Sequence, residues 1–187
     1  TKKLIFASLS YCFSQLRCKG IAFFLMLQAY DKFFLYLCKK NNSITMKGCQ
    51  KSSLEGLEVQ LQAIKDNRGV LTFSEVNSEI PFPVKRIFWI TEIPQGAKRG
   101  GHAHMTCKEF LCCVNGSFKL TLKNMHETRT FFLDSSDKAV YIPEGIWCSL
   151  EDFAPGTVIM VAASEHYSCE GYIYDYEEYV AVYANTL

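Results

Sequence analysis

The chain has 187 residues, 49% of them hydrophobic and 21% charged, with a net charge of +1. That length suits one domain with a real core and is short for two, and the composition is ordinary for a globular protein. A near-neutral balance with no broad basic surface excludes nucleic acid as a natural partner.

Charge divides the chain unevenly. Residues 1–45 hold seven Lys/Arg and one acid, whereas residues 46–187 hold thirteen Lys/Arg and eighteen acids. The longest apolar run of the first part, Ile21 to Leu27, is followed by Asp31-Lys32. It is too short and too broken to span a bilayer, so no membrane partner is expected. Residues 1–45 are read as an N-terminal extension outside the natural protein, with Met46 as the natural start and 46–187 as the functional domain. The nine cysteines are odd in number, form no CxxC pair and fall partly inside apolar runs. Reduced, buried thiols in a cytoplasmic protein fit this better than a disulfide framework.

From Val59 onward, short runs rich in Val, Ile, Phe, Tyr and Thr alternate with turn residues. Strands are expected at Val59–Ile64, Val70–Val76, Val84–Glu92, His102–His104, Glu109–Val114, Ser117–Lys123, Glu127–Leu133, Ala139–Ile142, Cys148–Phe153 and Val158–Ala163. Asn115-Gly116 reads as the type I′ turn of a hairpin, which needs φ > 0 at both residues. Asp175–Tyr183 reads as a short C-terminal helix, with Asp175, Glu177 and Glu178 where a first turn favours acids. Many short strands without a long helical period indicate an all-β barrel or sandwich. The tyrosine-rich tail from Tyr172 to Tyr183 reads as packing and dimer surface.

The segment Arg99-Gly100-Gly101-His102-Ala103-His104 stands out. On a strand, residues i and i+2 share a face, so His102 and His104 project together. Imidazole both moves protons near neutral pH and binds metals, and the pair alone leaves both readings open. The wider spacing is Gly96-x5-His102-x-His104-x4-Glu109-x6-Gly116, followed by Pro143-x-Gly145-x2-Cys148-x3-Asp152. The first stretch matches the first cupin motif. The second resembles the second cupin motif with Cys148 in place of its His and Asp152 in place of its Asn.

Further stretches narrow the resemblance: Asp66–Leu71, Ile80–Phe88, Arg99–His104, Val114–Ser117, Ile146-Trp147, Ala162–Ser164 and Tyr172-Ile173. Over about residues 58–181 they resemble the WxcM-like dTDP-4-oxo-6-deoxyglucose 3,4-ketoisomerases. That resemblance implies a cupin jelly-roll β-barrel, a homodimer often with exchanged N-terminal strands, and no required cofactor. It also implies a dTDP-linked 4-keto-6-deoxy sugar as substrate, in the synthesis of sugars for surface glycans.

Such an enzyme moves a carbonyl from C4 to C3 through an enediol. His102 and His104 are the expected proton carriers, with His104 as the base and His102 as its partner. Arg99 is the candidate for the developing enolate oxygen. Arg68 and Arg86 match arginines of the family and are candidates for the diphosphate. Phe88 and Trp89 fall where the family has tyrosines, and Trp89 is the candidate aromatic platform. Tyr174 departs from the family's Arg after Tyr-Ile. Two other readings stand beside this one. A metal-dependent cupin would use His102, His104, Glu109 and Cys148. A non-catalytic cupin would only bind nucleotide sugar.

Overall fold

A computed structural model describes residues 53–184 of the chain. The reading of residues 1–45 lies outside the described residues. The strands are β1 (Glu58–Gln60), β2 (Gln62–Asp66), β3 (Gly69–Phe73), β4 (Arg86–Ile90), β5 (Arg99–His104), β6 (Glu109–Asn115), β7 (Phe118–Lys123), β8 (Thr128–Leu133), β9 (Lys138–Ile142), β10 (Trp147–Glu151), β11 (Val158–Ala163) and β12 (Tyr172–Ile173). One helix, α1 (Tyr176–Ala184), follows them.

Period-two burial builds the core. Along β7, Phe118, Leu120 and Leu122 are fully buried while Lys119 is exposed and Thr121 and Lys123 are half-buried. Each such side chain taken out of water contributes about 1.5–3 kcal/mol. These residues meet Leu111, Val140, Ile159 and Val161 from the opposite sheet in the main core. The first sheet has the order β1-β9-β6-β11-β4 and the second β12-β5-β10-β7-β8. All their pairings are antiparallel. The architecture is thus the expected all-β jelly roll. Among the described residues no strand pair joins the two sheets, so hydrogen bonds between these strands do not close the barrel.

Strand β6 is buried on both faces from Glu109 to Cys113. Its outward Phe110 and Cys112 lie in a second cluster with Leu61, Ile80 and Phe82, from the chain that wraps the outside of the first sheet. This places Cys112 and Cys113 on opposite faces, both buried, and burial raises both thiols to about 11. They are packing residues.

The Asn115-Gly116 expectation is corrected here. Strands β6 and β7 belong to different sheets, so the pair marks a crossover between sheets rather than a hairpin. Gly116 has φ +80° while Asn115 stays extended at the end of β6, so no type I′ turn forms. A Cβ on Gly116 would stand 2.5 Å from Oγ1 of Thr157. Asn115 Nδ2 donates to the Gly156 carbonyl at 2.7 Å, fixing the corner from the other side.

The C-terminal helix is found one residue later than expected. The Asp175 carboxylate accepts from the Glu178 amide at 2.8 Å and caps its first turn. Tyr179 is buried and its hydroxyl donates to the carbonyls of Lys123 and Gly145. With Tyr183 it packs the helix against Ala103 of β5 and Ile173 of β12.

Candidate active site

Strand register assembles the candidate site. In the second sheet, His102 of β5 lies opposite Cys148 of β10, and His104 lies opposite Tyr172 of β12. In the first sheet, Ala163 of β11 is flanked by Arg86 of β4 and Glu109 of β6. Side chains from both sheets converge between them.

The glycine pair determines how the histidines face. Gly100 and Gly101 both have left-handed φ, +72° and +70°. Pairing steps from Cys148–His102 to Ser149–Gly100, leaving Gly101 as an extra residue. This β-bulge lies next to the histidines. A Cβ on Gly100 would stand 2.8 Å from the Cys148 carbonyl. Beyond the bulge, regular alternation brings His102 and His104 to one face, with ring centroids 5.1 Å apart and nearly perpendicular. The second motif supports them: the Gly145 amide donates to the His104 carbonyl at 2.7 Å.

His104 is buried, and its Nε2 lies 3.2 Å from Oε1 of buried Glu109. That approach is off the direction of a hydrogen bond, and Nε2 has no hydrogen-bond partner among the described residues. Glu109 also faces Nη2 of Arg86 at 3.8 Å. The Arg86 guanidinium lies 5.0 Å from the Phe88 ring and 5.6 Å from the Tyr167 ring, within cation–π range of both. Its Nε is buried without a hydrogen-bond partner among the described residues.

His102 is half-buried and more open than His104. Its pKa is shifted below the usual imidazole value of 6.5, mainly by burial and then by His104. Glu109 and the Gly100 carbonyl act the other way. Its Nε2 lies 3.8 Å from Sγ of Cys148, whose thiol is pushed far up by burial and further by the Glu109 charge.

Several expected site residues lie elsewhere. Trp89 is 62% exposed and alternates to the outer face of β4, where Phe88 takes the inner face. Arg99 is exposed on the far side of the bulge. Arg68 closes the turn between β2 and β3, its guanidinium bound to Asp66 and its side chain 86% exposed. The four residues of the metal reading pair as His102 with Cys148 and His104 with Glu109. No three His, Cys, Asp or Glu side chains among the described residues are arranged to hold a metal ion.

The tail reading missed a site residue. The Tyr172 ring lies 4.3 Å from the His104 ring and 5.1 Å from the His102 ring. Tyr174 stacks on Tyr172 at 5.3 Å with planes 2° apart. Tyr172-Ile173 forms only a two-residue strand, too short for any periodicity to register.

A jelly roll that presents a paired-histidine strand, with an acid and an arginine behind it, defines a cupin-type protein. Comparison with known proteins narrows the class. The family model FdtA, described as WxcM-like, C-terminal, matches residues 57–184. A TDP-4-oxo-6-deoxy-α-D-glucose-3,4-oxoisomerase of Aneurinibacillus thermoaerophilus is 32% identical over 126 residues, covering 67% of this chain and 91% of the relative. The sugar 3,4-ketoisomerase of Thermoanaerobacterium thermosaccharolyticum, solved in complex with TDP, superposes with a TM-score of 0.67 at 33% identity, over 70% of this chain and 95% of that one. A 3,4-ketoisomerase of Helicobacter canadensis superposes with a TM-score of 0.66 at 30% identity, over 68% and 96%. The chain belongs to the WxcM-like family of sugar 3,4-ketoisomerases.

Proposed function

We propose that the chain isomerises a dTDP-linked 4-keto-6-deoxyhexose to its 3-keto isomer by proton transfer through an enediol. The observation that carries this reading is the single-faced His102–His104 pair backed by Glu109 and Arg86, in a chain of this family. A neutral imidazole removes the C3 proton, and the C–H electrons form the C3–C4 double bond. The C4 carbonyl electrons move onto O4. Collapse of the enediol then forms the C3 carbonyl while C4 gains a proton.

His102 suits the base role better than His104. It is the more open of the two, and its lowered pKa keeps it neutral and ready to accept a proton at pH 7. His104, held against Glu109, takes that proton on from His102 and gives it to C4, so both imidazoles end as they began. Arg86 takes the enolate role first assigned to Arg99. Its buried Nε has no hydrogen-bond partner among the described residues, and its fixed charge stands beside the Glu109–His104 pair, where charge develops on the sugar. The nucleotide remains for the outer arginines.

The protein is further proposed to be a homodimer. The β2–β3 hairpin stands outside both large sheets and exposes Ile64, Val70 and Leu71, each more than half accessible. Such a surface suits a second copy of the chain, and Arg68 rides on the same hairpin. The test of function is incubation with dTDP-4-keto-6-deoxyglucose, followed by proton NMR. The expected result is loss of the C3 proton signal in deuterium oxide and appearance of a 3-keto sugar. A folded, TDP-binding protein that does neither, beside an active family enzyme, would leave only the binding role.

A further inference from the structure

Carbon chemistry is only half of a ketoisomerisation. O3 must lose a proton and O4 must gain one, and the two histidines are already occupied with C3 and C4. A donor that reaches both oxygens is therefore needed, beside the histidines and near the charge on Arg86.

Tyr172 occupies that place. Its backbone pairs with His104 through β12, and its ring lies against both imidazoles. Tyr174 stacks on Tyr172 with planes 2° apart and lies 5.9 Å from the His102 ring, which completes an aromatic group around the imidazoles. Burial raises the pKa of the Tyr172 hydroxyl above the usual phenol value, and the Arg86 guanidinium acts on it in the opposite sense. Glu109 and Tyr167 act on it in the same sense as burial. The phenol therefore stays protonated at neutral pH and is polarised by a fixed cation.

We infer that Tyr172 carries the proton between O3 and O4 of the bound sugar, an inference that rests on the ketoisomerase reading above. As the base takes the C3 proton, the C4=O π electrons move to O4, where Arg86 holds the charge; the phenol O–H bond then breaks to give its proton to O4. The phenolate, paired with Arg86, then takes the proton from O3, and the O3–H electrons form the C3 carbonyl while C4 takes its proton from imidazolium. Tyr172 ends as it began, and no oxidant or reductant is consumed.

Tyr172→Phe tests this, because it keeps the ring contacts and removes one oxygen atom. Retained TDP binding confirms the intact site. Two rates are measured in deuterium oxide: washout of the C3 proton in recovered dTDP-4-keto-6-deoxyglucose, and formation of the 3-keto product. Loss of the oxygen-side relay should cut product formation about 100-fold and washout less than about tenfold, so their ratio shifts by roughly tenfold or more. A ratio equal to that of the wild type, whether both rates fall together or neither falls, would overturn the inference by reducing Tyr172 to packing. Wild-type protein that shows neither rate would instead overturn the ketoisomerase reading itself.

Discussion

At the residue scale, the two imidazoles differ in surroundings: His104 is buried against Glu109 while His102 is half-buried. His102→Asn should lower C3 proton exchange by about 10²–10⁴-fold while TDP binding persists, since a positioned general base contributes that much. Exchange at the wild-type rate in that variant would remove His102 from the base role. The shift of His102 sets a pH dependence. Its neutral form is the base and its pKa lies below 6.5, so kcat/KM should fall on the acid side through a midpoint below 6.5. A pH profile with its acid midpoint above 6.5 would contradict the burial argument. The same shift acts on stability, because between the folded value and 6.5 the unfolded chain binds the extra proton. Stability from this group is whole above pH 6.5 and is lost as pH falls through the folded value. The pairing of the two imidazoles on one face was legible in the His102-x-His104 spacing. The approach of Tyr172 to them was not, because His104 lies far away in sequence and nothing local marks the contact. Trp89 was misplaced for a related reason. Alternation assigns Phe88 and Trp89 to opposite faces, and only packing shows which face is inner.

At the scale of elements, the bulge at Gly100-Gly101 orients the histidines, and the two glycines differ in a testable way. Both have left-handed φ, which costs an L residue about 1–2 kcal/mol. Space is open around Gly101, while a Cβ on Gly100 would meet backbone at 2.8 Å. Urea unfolding should therefore show Gly101→Ala destabilised by about 1–2 kcal/mol and Gly100→Ala by clearly more. Equal losses would mean that the contact with the Cys148 carbonyl relaxes freely. Most strands stood where hydrophobic alternation placed them. The Asn115-Gly116 corner shows the limit of that reading. A glycine with positive φ reports that the chain turns, but which strand it pairs with afterwards is decided by Thr157 and Gly156, some forty residues on. In the same way Val59–Ile64, read as one strand, divides into β1 and β2, which pair with different partners.

At the scale of the whole molecule, a two-sheet jelly roll supplies a rigid frame whose opposing faces deliver the histidines from one side and Arg86 and Glu109 from the other. The all-β class was legible because short alternating runs recur at near-regular spacing. The open barrel was not, since closure depends on edge strands whose partners no local pattern names. The exposed hairpin gives an assembly prediction. Sedimentation at micromolar concentration should show a dimer, and Leu71→Glu should shift it toward monomer; an unchanged dimer would place the contact elsewhere. The central claim is transposition of the carbonyl by proton transfer. Its most direct test is proton NMR of dTDP-4-keto-6-deoxyglucose incubated with the full chain in deuterium oxide. The expected result is deuterium at the former C3 position of recovered substrate together with a growing 3-keto product. Recovery of the sugar with its C3 proton intact and no product, from folded protein that binds TDP, would contradict it.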